Sequence, residues 1–574
     1  MSNNLDSITI TTIWNYFWRV CREMRESIER TATNVLMVTL HDLAYSIYNA
    51  EGQALALPEG IPHRLLTAKL AINHIREKFA DDIHPGDVFL ANTYIDGAVH
   101  LPDWVFLRPV FTDGELTFFC VLGTHVADNG GAQPGSSFLA YDDVAEGFHI
   151  PLVKIVKEGV LNRDIMDVIL ANNREADLMR RECASFIGSI SVGDKRLVEL
   201  VKKYGKETVM ETTREMIKRT EAAVRAQIAK WPEGTWYCEA TSDTDGKNVD
   251  KRVTVKCDLT IKDGELFFDY SKTQDETDGM LNIHDYMTYS TTCCNTFMFL
   301  GYELAGYHNE GSTMPIHVIT RKGSLVDASE HAKLASGVAL TGCLIGEVVT
   351  GLLSQALPEK AIAPYGRQVM TGGIGIEFPY TYICFNPPGG AGAVYGNDGY
   401  QCCAVGSTMG MMGKTDAEDE MVRFPWVTHV YEFAMDREGA GKWRGAPGLH
   451  WEAENCACRS MHITGAWDGF ISQANGVNGG DPTHINEAYI LKADGSIDPF
   501  RQRMMFSDKG DRMISVSSGG AGVGVPSERD PEKVRMDVKN ELVSVERAEK
   551  VYKVVVDPET FEIDWSATEK LRSN

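Results

Sequence analysis

Two short segments hold the residue types best suited to chemistry: His100-Leu101-Pro102-Asp103 and His125-Val126-Ala127-Asp128. Each reads His-x-x-Asp, and the two histidines stand 25 positions apart. Two imidazoles and one carboxylate form a facial ligand set that leaves positions on a divalent ion open to substrate. Neutral nitrogen with anionic oxygen suits Mn, Fe or Zn better than Ca or Mg. The same spacing also fits two ordinary strand-end histidines with capping aspartates, since His and Asp are common at turns. Asp42 lies in an apolar run, Leu36 to Tyr48, where a carboxylate is costly unless paired or liganded. It reads equally as a partner orienting a ligating histidine or as a solvent-facing residue on an edge strand. Trp14, Trp18 and Trp104 read as packing residues.

Other chemistries leave little trace. Nothing matches Gly-x4-Gly-Lys-Ser/Thr, so no P-loop for ATP is present. Gly519 to Gly524 is rich in glycine, but it follows serines and precedes a proline instead of opening a helix, which reads as a plain loop. No Gly-x-Ser-x-Gly stands between a strand and a helix. The 13 cysteines form no metal or disulfide framework; Cys293-Cys294 and Cys402-Cys403 are adjacent, and Cys456-Ala457-Cys458 lacks the two-residue spacer of a zinc ribbon. Buried reduced thiols are the expectation.

The elements that must position the two His-x-x-Asp segments can be read around them. Trp104–Phe111 and Leu116–Gly123 predict a hairpin closed by Thr112-Asp113-Gly114, where Asp-Gly favours positive φ. His100 and Asp103 precede the first strand and His125 and Asp128 follow the second, so antiparallel pairing brings the two ends together. Upstream, Ile13, Phe17, Val20, Met24 and Ile28 make one apolar face of a helix starting near Thr11 or Thr12. A strand over Asn34–Tyr48 and a second helix over Leu65–Phe79 are expected next. Residues 152–229 read as mostly helical, with Leu161-Asn162-Arg163-Asp164 as a cap. Arg252–Leu259 and Glu265–Tyr270 read as a second hairpin, residues 340–530 as loop-rich and β-rich, and Ser527 onward as a charged helical stretch. The expected architecture is mixed α+β, closely packed. It has an N-terminal region with the candidate metal site (1–150), a helical segment (151–230), a mixed hairpin region (231–350) and a glycine-rich, β-rich region ending in helices (351–574).

Composition limits the function classes. The chain has 574 residues, of which 43% are hydrophobic and 24% charged, enough for a packed core. Its formal charge of −24 opposes binding to nucleic acid or to an anionic membrane surface. The N-terminus has no basic region followed by an apolar one, so a cytoplasmic protein is expected. The weakly charged stretch Tyr286–His308 is interrupted by Asn295 and Glu303 and reads as buried core, not a membrane span.

The motifs taken together resemble the hydantoinase B family, which includes the acetone carboxylase alpha subunit, the matching half of 5-oxoprolinase and the large subunits of acetophenone carboxylase. The resemblance runs through Arg30-Thr31-Ala32, Pro85-Gly86-Asp87-Val88, both His-x-x-Asp segments, Gly130-Gly131, Pro134-Gly135-Ser136, Glu146-Gly147 and Ile150-Pro151. Far downstream it includes Arg444-Gly445, Arg529-Asp530-Pro531 and Val543-Ser544. It implies that His100, Asp103 and His125 are the metal ligands, with Asp128 or Asp42 orienting an imidazole. Departures stand beside it. Asn92-Thr93-Tyr94 replaces the usual Asn-Asp-Pro-Tyr, Thr39 replaces a Glu, and Gly60 and Arg64 stand where His-Ile-Pro-Val-His has histidines; Tyr395–Cys403 also differs from typical hydantoinases. These tilt the resemblance toward the ketone carboxylases, most like an acetophenone carboxylase large subunit. Such a subunit would work beside a hydantoinase A-like ATP-binding subunit and further carboxylase subunits, joining an activated ketone enol to activated bicarbonate. ATP-dependent opening of a cyclic amide (hydantoin, oxoproline or lactam) and a non-catalytic scaffold are the alternatives.

Overall fold

The computed structural model describes residues 6–573, apart from 59, 137–139, 249–250, 368, 377–380, 385–387, 402–405 and 500–503. Cys402-Cys403 thus lies outside the described residues. Contacts group the chain into two units: Met1–Thr235, Leu259–Ser271 and Asn282–Val338 form the first, and Trp236–Asp258, Lys272–Leu281 and Ala339–Asn574 the second. The fold class is mixed α and β, as the sequence indicates.

In the first unit, helix α1 spans Ser7–Thr31. It starts earlier than the apolar face alone suggests because the Asp6 carboxylate accepts hydrogen bonds from the Ile8 and Thr9 amides, both at 2.9 Å. The predicted face is buried, with Ile13, Phe17, Val20, Met24 and Ile28 all at 1% exposure or less. The single strand expected over Asn34–Tyr48 is instead a one-turn helix, α2 (Val35–Val38), followed by strand β1 (Leu43–Asn49). The Asn34 side chain caps α2 by accepting from the Leu36 amide, and His41, at φ 55°, turns the chain. Local capping overrides the strand preference of Val and Leu here.

Next come β2 (Ala54–Ala56), α3 (Pro62–Leu65), α4 (Ala68–Lys78), β3 (Val88–Ala91), β4 (Asp103–Thr112) and β5 (Glu115–His125). The helix expected over Leu65–Phe79 is therefore broken, with Pro62 opening a separate first turn. β6 (Val153–Lys157) and β7 (Val160–Leu161) precede α5 (Arg163–Ala171), α6 (Ala176–Tyr204) and α7 (Lys206–Ile228). Asn162 caps α5, as its sequence suggests. The seven strands form one sheet in the order β2-β1-β5-β4-β3-β6-β7. Helices α1 and α6 cover a face of it, with Phe17 edge-on to Phe118 at 5.7 Å and Phe106 against Phe186 at 5.3 Å. The segment Asp285–Phe297 is a largely buried helix. Among the described residues, no helix is long and apolar enough to cross a membrane.

Among the described residues, two antiparallel sheets lie wholly within the second unit. One contains Thr381–Cys384, Val369–Gly375, Ser460–Trp467 and Met504–Ser507, and the other Trp426–Ala434, Gly448–Asn455, Arg512–Val516, Glu487–Leu491 and Ile497–Pro499. The glycines of 519–524 serve backbone-to-backbone packing. A Cβ on Gly520 would lie 1.9 Å from the Ala391 carbonyl oxygen, and one on Gly445 1.9 Å from that of Gly520. The final charged stretch is three short helices, Pro531–Lys539, Val545–Lys550 and Trp565–Arg572.

Candidate metal centre

The hairpin of β4 and β5 closes through Asp113 and Gly114, both at positive φ, and its register pairs Asp103 with His125. His100 joins them through a turn in which the Asp103 amide donates to the His100 carbonyl at 2.9 Å. One ligand atom each from His100, Asp103 and His125 lies within 4.8 Å of the others. The imidazole centroids are 5.0 Å apart, and His100 Nε2 is 3.1 Å from Asp103 Oδ1. All three residues are buried, at 5%, 1% and 8% exposure.

His100 Nε2, Asp103 Oδ2 and His125 Nδ1 are buried with no aligned hydrogen-bond partner. Buried polar atoms in folded proteins are nearly always paired, and these three belong to the residues whose ligand atoms cluster within 4.8 Å, which fits a bound cation. His100 Nδ1 faces the Ala335 carbonyl at 3.4 Å and Ser136 Oγ at 3.3 Å. A carbonyl only accepts, so a tautomer with its proton on Nδ1 would satisfy that contact and turn the Nε2 lone pair toward Asp103. Burial pushes His125 down to about 4, against the opposing charges of Asp42 and Asp103 and with those of His100 and Arg64, leaving it neutral at neutral pH. Burial opposes ionisation of Asp103, yet Arg64, His100 and His125 together hold it well below the usual carboxylate range.

Arg64, on α3, is the residue that sequence reasoning missed as a site member. Its side chain is buried and forks between two carboxylates, with Nη1 at 2.5 Å from Asp42 Oδ1 and Nη2 at 2.5 Å from Asp103 Oδ1. Asp42 is therefore a buried ion-pair partner. It reaches the site through Arg64 and through its backbone carbonyl, which accepts from the His125 amide at 3.2 Å. Asp128 is turned elsewhere. Its carboxylate accepts from the Arg174 amide at 2.6 Å, Arg174 Nη1 at 2.7 Å and the Gly130 amide at 3.2 Å. His63 is buried at 1% exposure with both ring nitrogens lacking hydrogen-bond partners, and burial, then the Arg64 charge, pushes it well below the ordinary histidine range.

A cavity of about 270 Å³ opens beside His100, with Tyr94, Asp96, Glu146, His149, Glu330 and His331 in its wall. Its described lining holds no lysine or arginine. Glu146 accepts from the Leu334 and Ala335 amides at 2.9 and 3.0 Å, and burial pushes its carboxyl up to about 7. The departure at Thr93 makes a local contact, its hydroxyl donating to Asp96 at 2.6 Å.

The hydantoinase B/oxoprolinase family signature matches residues 6–526. A putative D-/L-hydantoinase component from Pseudomonas sp. (strain NS671) is 28% identical, covering 99% of this chain and 98% of its own. The beta subunit of the Pseudomonas jessenii caprolactamase is 26% identical over 97% of both chains. The crystal structure of the ATP-dependent caprolactamase from that organism superposes with a TM-score of 0.88 at 23% identity, over the whole of both chains. The nucleotide-free structure of an acetone carboxylase gives 0.88 at 20% identity, over 99% of this chain and 82% of that one. The two structural likenesses establish the fold, and the family signature across most of the chain establishes the lineage. This chain belongs to the hydantoinase B/oxoprolinase family.

Proposed function

We propose that this chain is the metal-bearing subunit of an ATP-dependent enzyme that opens a small cyclic amide, with ATP handled by a hydantoinase A-like partner subunit. The observation that carries this reading is the cavity bordered by His100 and Glu146 and free of lysine and arginine in its described lining. A cavity lined by carboxylates and imidazoles offers bicarbonate no lysine or arginine to hold it, whereas a neutral lactam or hydantoin needs none. His100, Asp103 and His125 would hold a divalent metal. When bound, such an ion polarises a carbonyl oxygen and lowers the pKa of water.

The chain's own residues supply the rest. Glu146, with its carboxyl near 7, can take a proton from the attacking water. His149 and His331, in the same wall, can return one to the departing nitrogen. Arg64 adds no attraction for anions, since its charge is matched by Asp42 and Asp103.

Ketone carboxylation is the second reading. It is favoured by Gly60 and Arg64, which stand where the family's histidines are expected. The test is to co-express the chain with its ATP-binding partner and supply ATP with caprolactam, hydantoin or oxoproline, and separately ATP with bicarbonate and acetone or acetophenone. Ring-opened amino acid formed without bicarbonate, and lost in His100→Ala, is expected. A bicarbonate-dependent β-keto acid would instead establish the carboxylase, and full activity in His100→Ala would leave the chain as a scaffold.

A further inference from the structure

The candidate centre already contains a cation. The Arg64 guanidinium is buried, with Nη2 at 2.5 Å from Asp103 Oδ1 and Nη1 at 2.5 Å from Asp42 Oδ1. Asp103 Oδ1 is also the oxygen that faces His100 Nε2, at 3.1 Å. The oxygen turned toward an imidazole is therefore the one already engaged by a charge-assisted bond.

This charge is held in place from both ends. β5 passes the Arg64 stem at Gly123, where an added Cβ would lie 3.3 Å from Arg64 Cβ and 3.4 Å from Cδ. At the other end Asp42 takes one arm of the fork. Arg64, Asp42, Asp103, His100 and His125 are all at 8% exposure or less, so the charge is screened far less than one at the surface. Imidazoles bind metals in their neutral form. The charges bonded into the centre are then those of Asp42, Asp103 and Arg64, one net negative charge with the guanidinium and two without it.

We propose that Arg64 is a resident counter-cation that lowers the affinity of this centre for a divalent metal, because the ion must share Asp103 with a fixed positive charge. The proposal rests on the metal reading above. Asp42 has the opposite role: its carboxylate offsets part of the guanidinium's charge, and without it Arg64 acts on Asp103 alone.

The test uses the full-length protein titrated with Co(II) alone, with dissociation constants from competition with a chelator. Arg64→Gln, which removes the charge, is expected to bind about 10-fold or more tighter than wild type, the sense set by losing a nearby positive charge in a poorly screened site. Arg64→Lys, which keeps the charge, is expected to bind within about 3-fold of wild type. Asp42→Asn, which keeps the guanidinium and removes a carboxylate, is expected to bind about 10-fold more weakly, and it decides the matter if Arg64→Gln does not fold. Folded Arg64→Gln at or below wild-type affinity, or otherwise Asp42→Asn at or above it, would overturn the proposal and leave the metal reading intact. Arg64→Lys as tight as Arg64→Gln would assign the effect to the bulk of the guanidinium and overturn the charge argument. Binding by Arg64→Gln with none by wild type would be the proposal in its extreme form, and no binding by wild type or any folded variant would overturn the metal reading as well.

Discussion

Arg64 and Arg529 are both buried guanidiniums that bridge two aspartates, one in each unit, and they differ in what surrounds them. At Arg529, Nη1 and Nη2 meet Asp398 at 2.7 and 2.9 Å, and Nε and Nη2 meet Asp537 at 3.2 and 2.8 Å. Every nitrogen of that guanidinium has an acceptor. Around Arg64, the Arg64 Nε, Asp103 Oδ2, His100 Nε2, His125 Nδ1 and both nitrogens of His63 have no hydrogen-bond partner. Buried charge therefore does not mark function by itself. A fully satisfied network rigidifies a fold, whereas a cluster of unsatisfied donors and acceptors is stable only if something else completes it.

The largest effect that tests this contrast is at Arg529. Arg529→Met leaves Asp398 and Asp537 with only Arg444, through its amide and its guanidinium respectively, and should cost about 3 kcal/mol in denaturant unfolding, the range for breaking a buried pair. Activity per folded molecule should stay at the wild-type level. A matching loss of activity in folded Arg529→Met would show that the satisfied network also serves the chemistry, and the distinction would fail.

The legible part of the site was its hairpin. Thr112-Asp113-Gly114 specifies a two-residue turn and alternating apolar residues specify the strands, which brings the two ends together; the pairing of Asp103 with His125 also needs the one-residue register shift between Val110 and Phe111, which neither signal encodes. The helix faces of α1 and the cap of α5 were legible for the same local reasons. What supports the site was not. Arg64 is 39 positions from Asp103, the Ala335 carbonyl 235 from His100, and the Leu334 amide 188 from Glu146. No periodicity encodes such contacts. Asp128 shows the converse: His125-Val126-Ala127-Asp128 mirrors the first segment in sequence, but its carboxylate turns to Arg174. Asn34–Tyr48 misled because a side-chain cap and one left-handed residue outweigh strand propensity.

Two buried glutamates sharpen the contrast at an intermediate scale. Burial pushes Glu146 in the first unit and Glu420 in the second up to about 7. A carboxyl raised above its unfolded value near 4.5 contributes stability that is complete below that value and is lost as pH rises through 7. Wild type should thus lose stability from pH 5 to pH 8. Gln at either position should remove about 1–3 kcal/mol of that loss. Only Glu146→Gln should also depress turnover, because only Glu146 borders the cavity beside His100. Equal pH dependence in wild type and both variants would mean that neither carboxyl titrates as described. Reduced turnover in Glu420→Gln would extend the site beyond the cavity.

The smallest expected effect separates Asp128 from Asp103. Asp128 receives two backbone amides, from Arg174 and Gly130, and the half-exposed Arg174 guanidinium. The exposed side of that ion pair contributes little. Asp128→Asn keeps one acceptor oxygen and loses the other, so the cost should be about 1 kcal/mol, that of one hydrogen bond. Because none of these partners is an imidazole, Co(II) affinity and turnover per folded molecule should match wild type. Loss of either in Asp128→Asn, on the scale of His100→Ala, would mean that the second His-x-x-Asp segment acts on the centre as a whole. The division between ligands completed from outside and carboxylates completed by the fold would then be drawn in the wrong place.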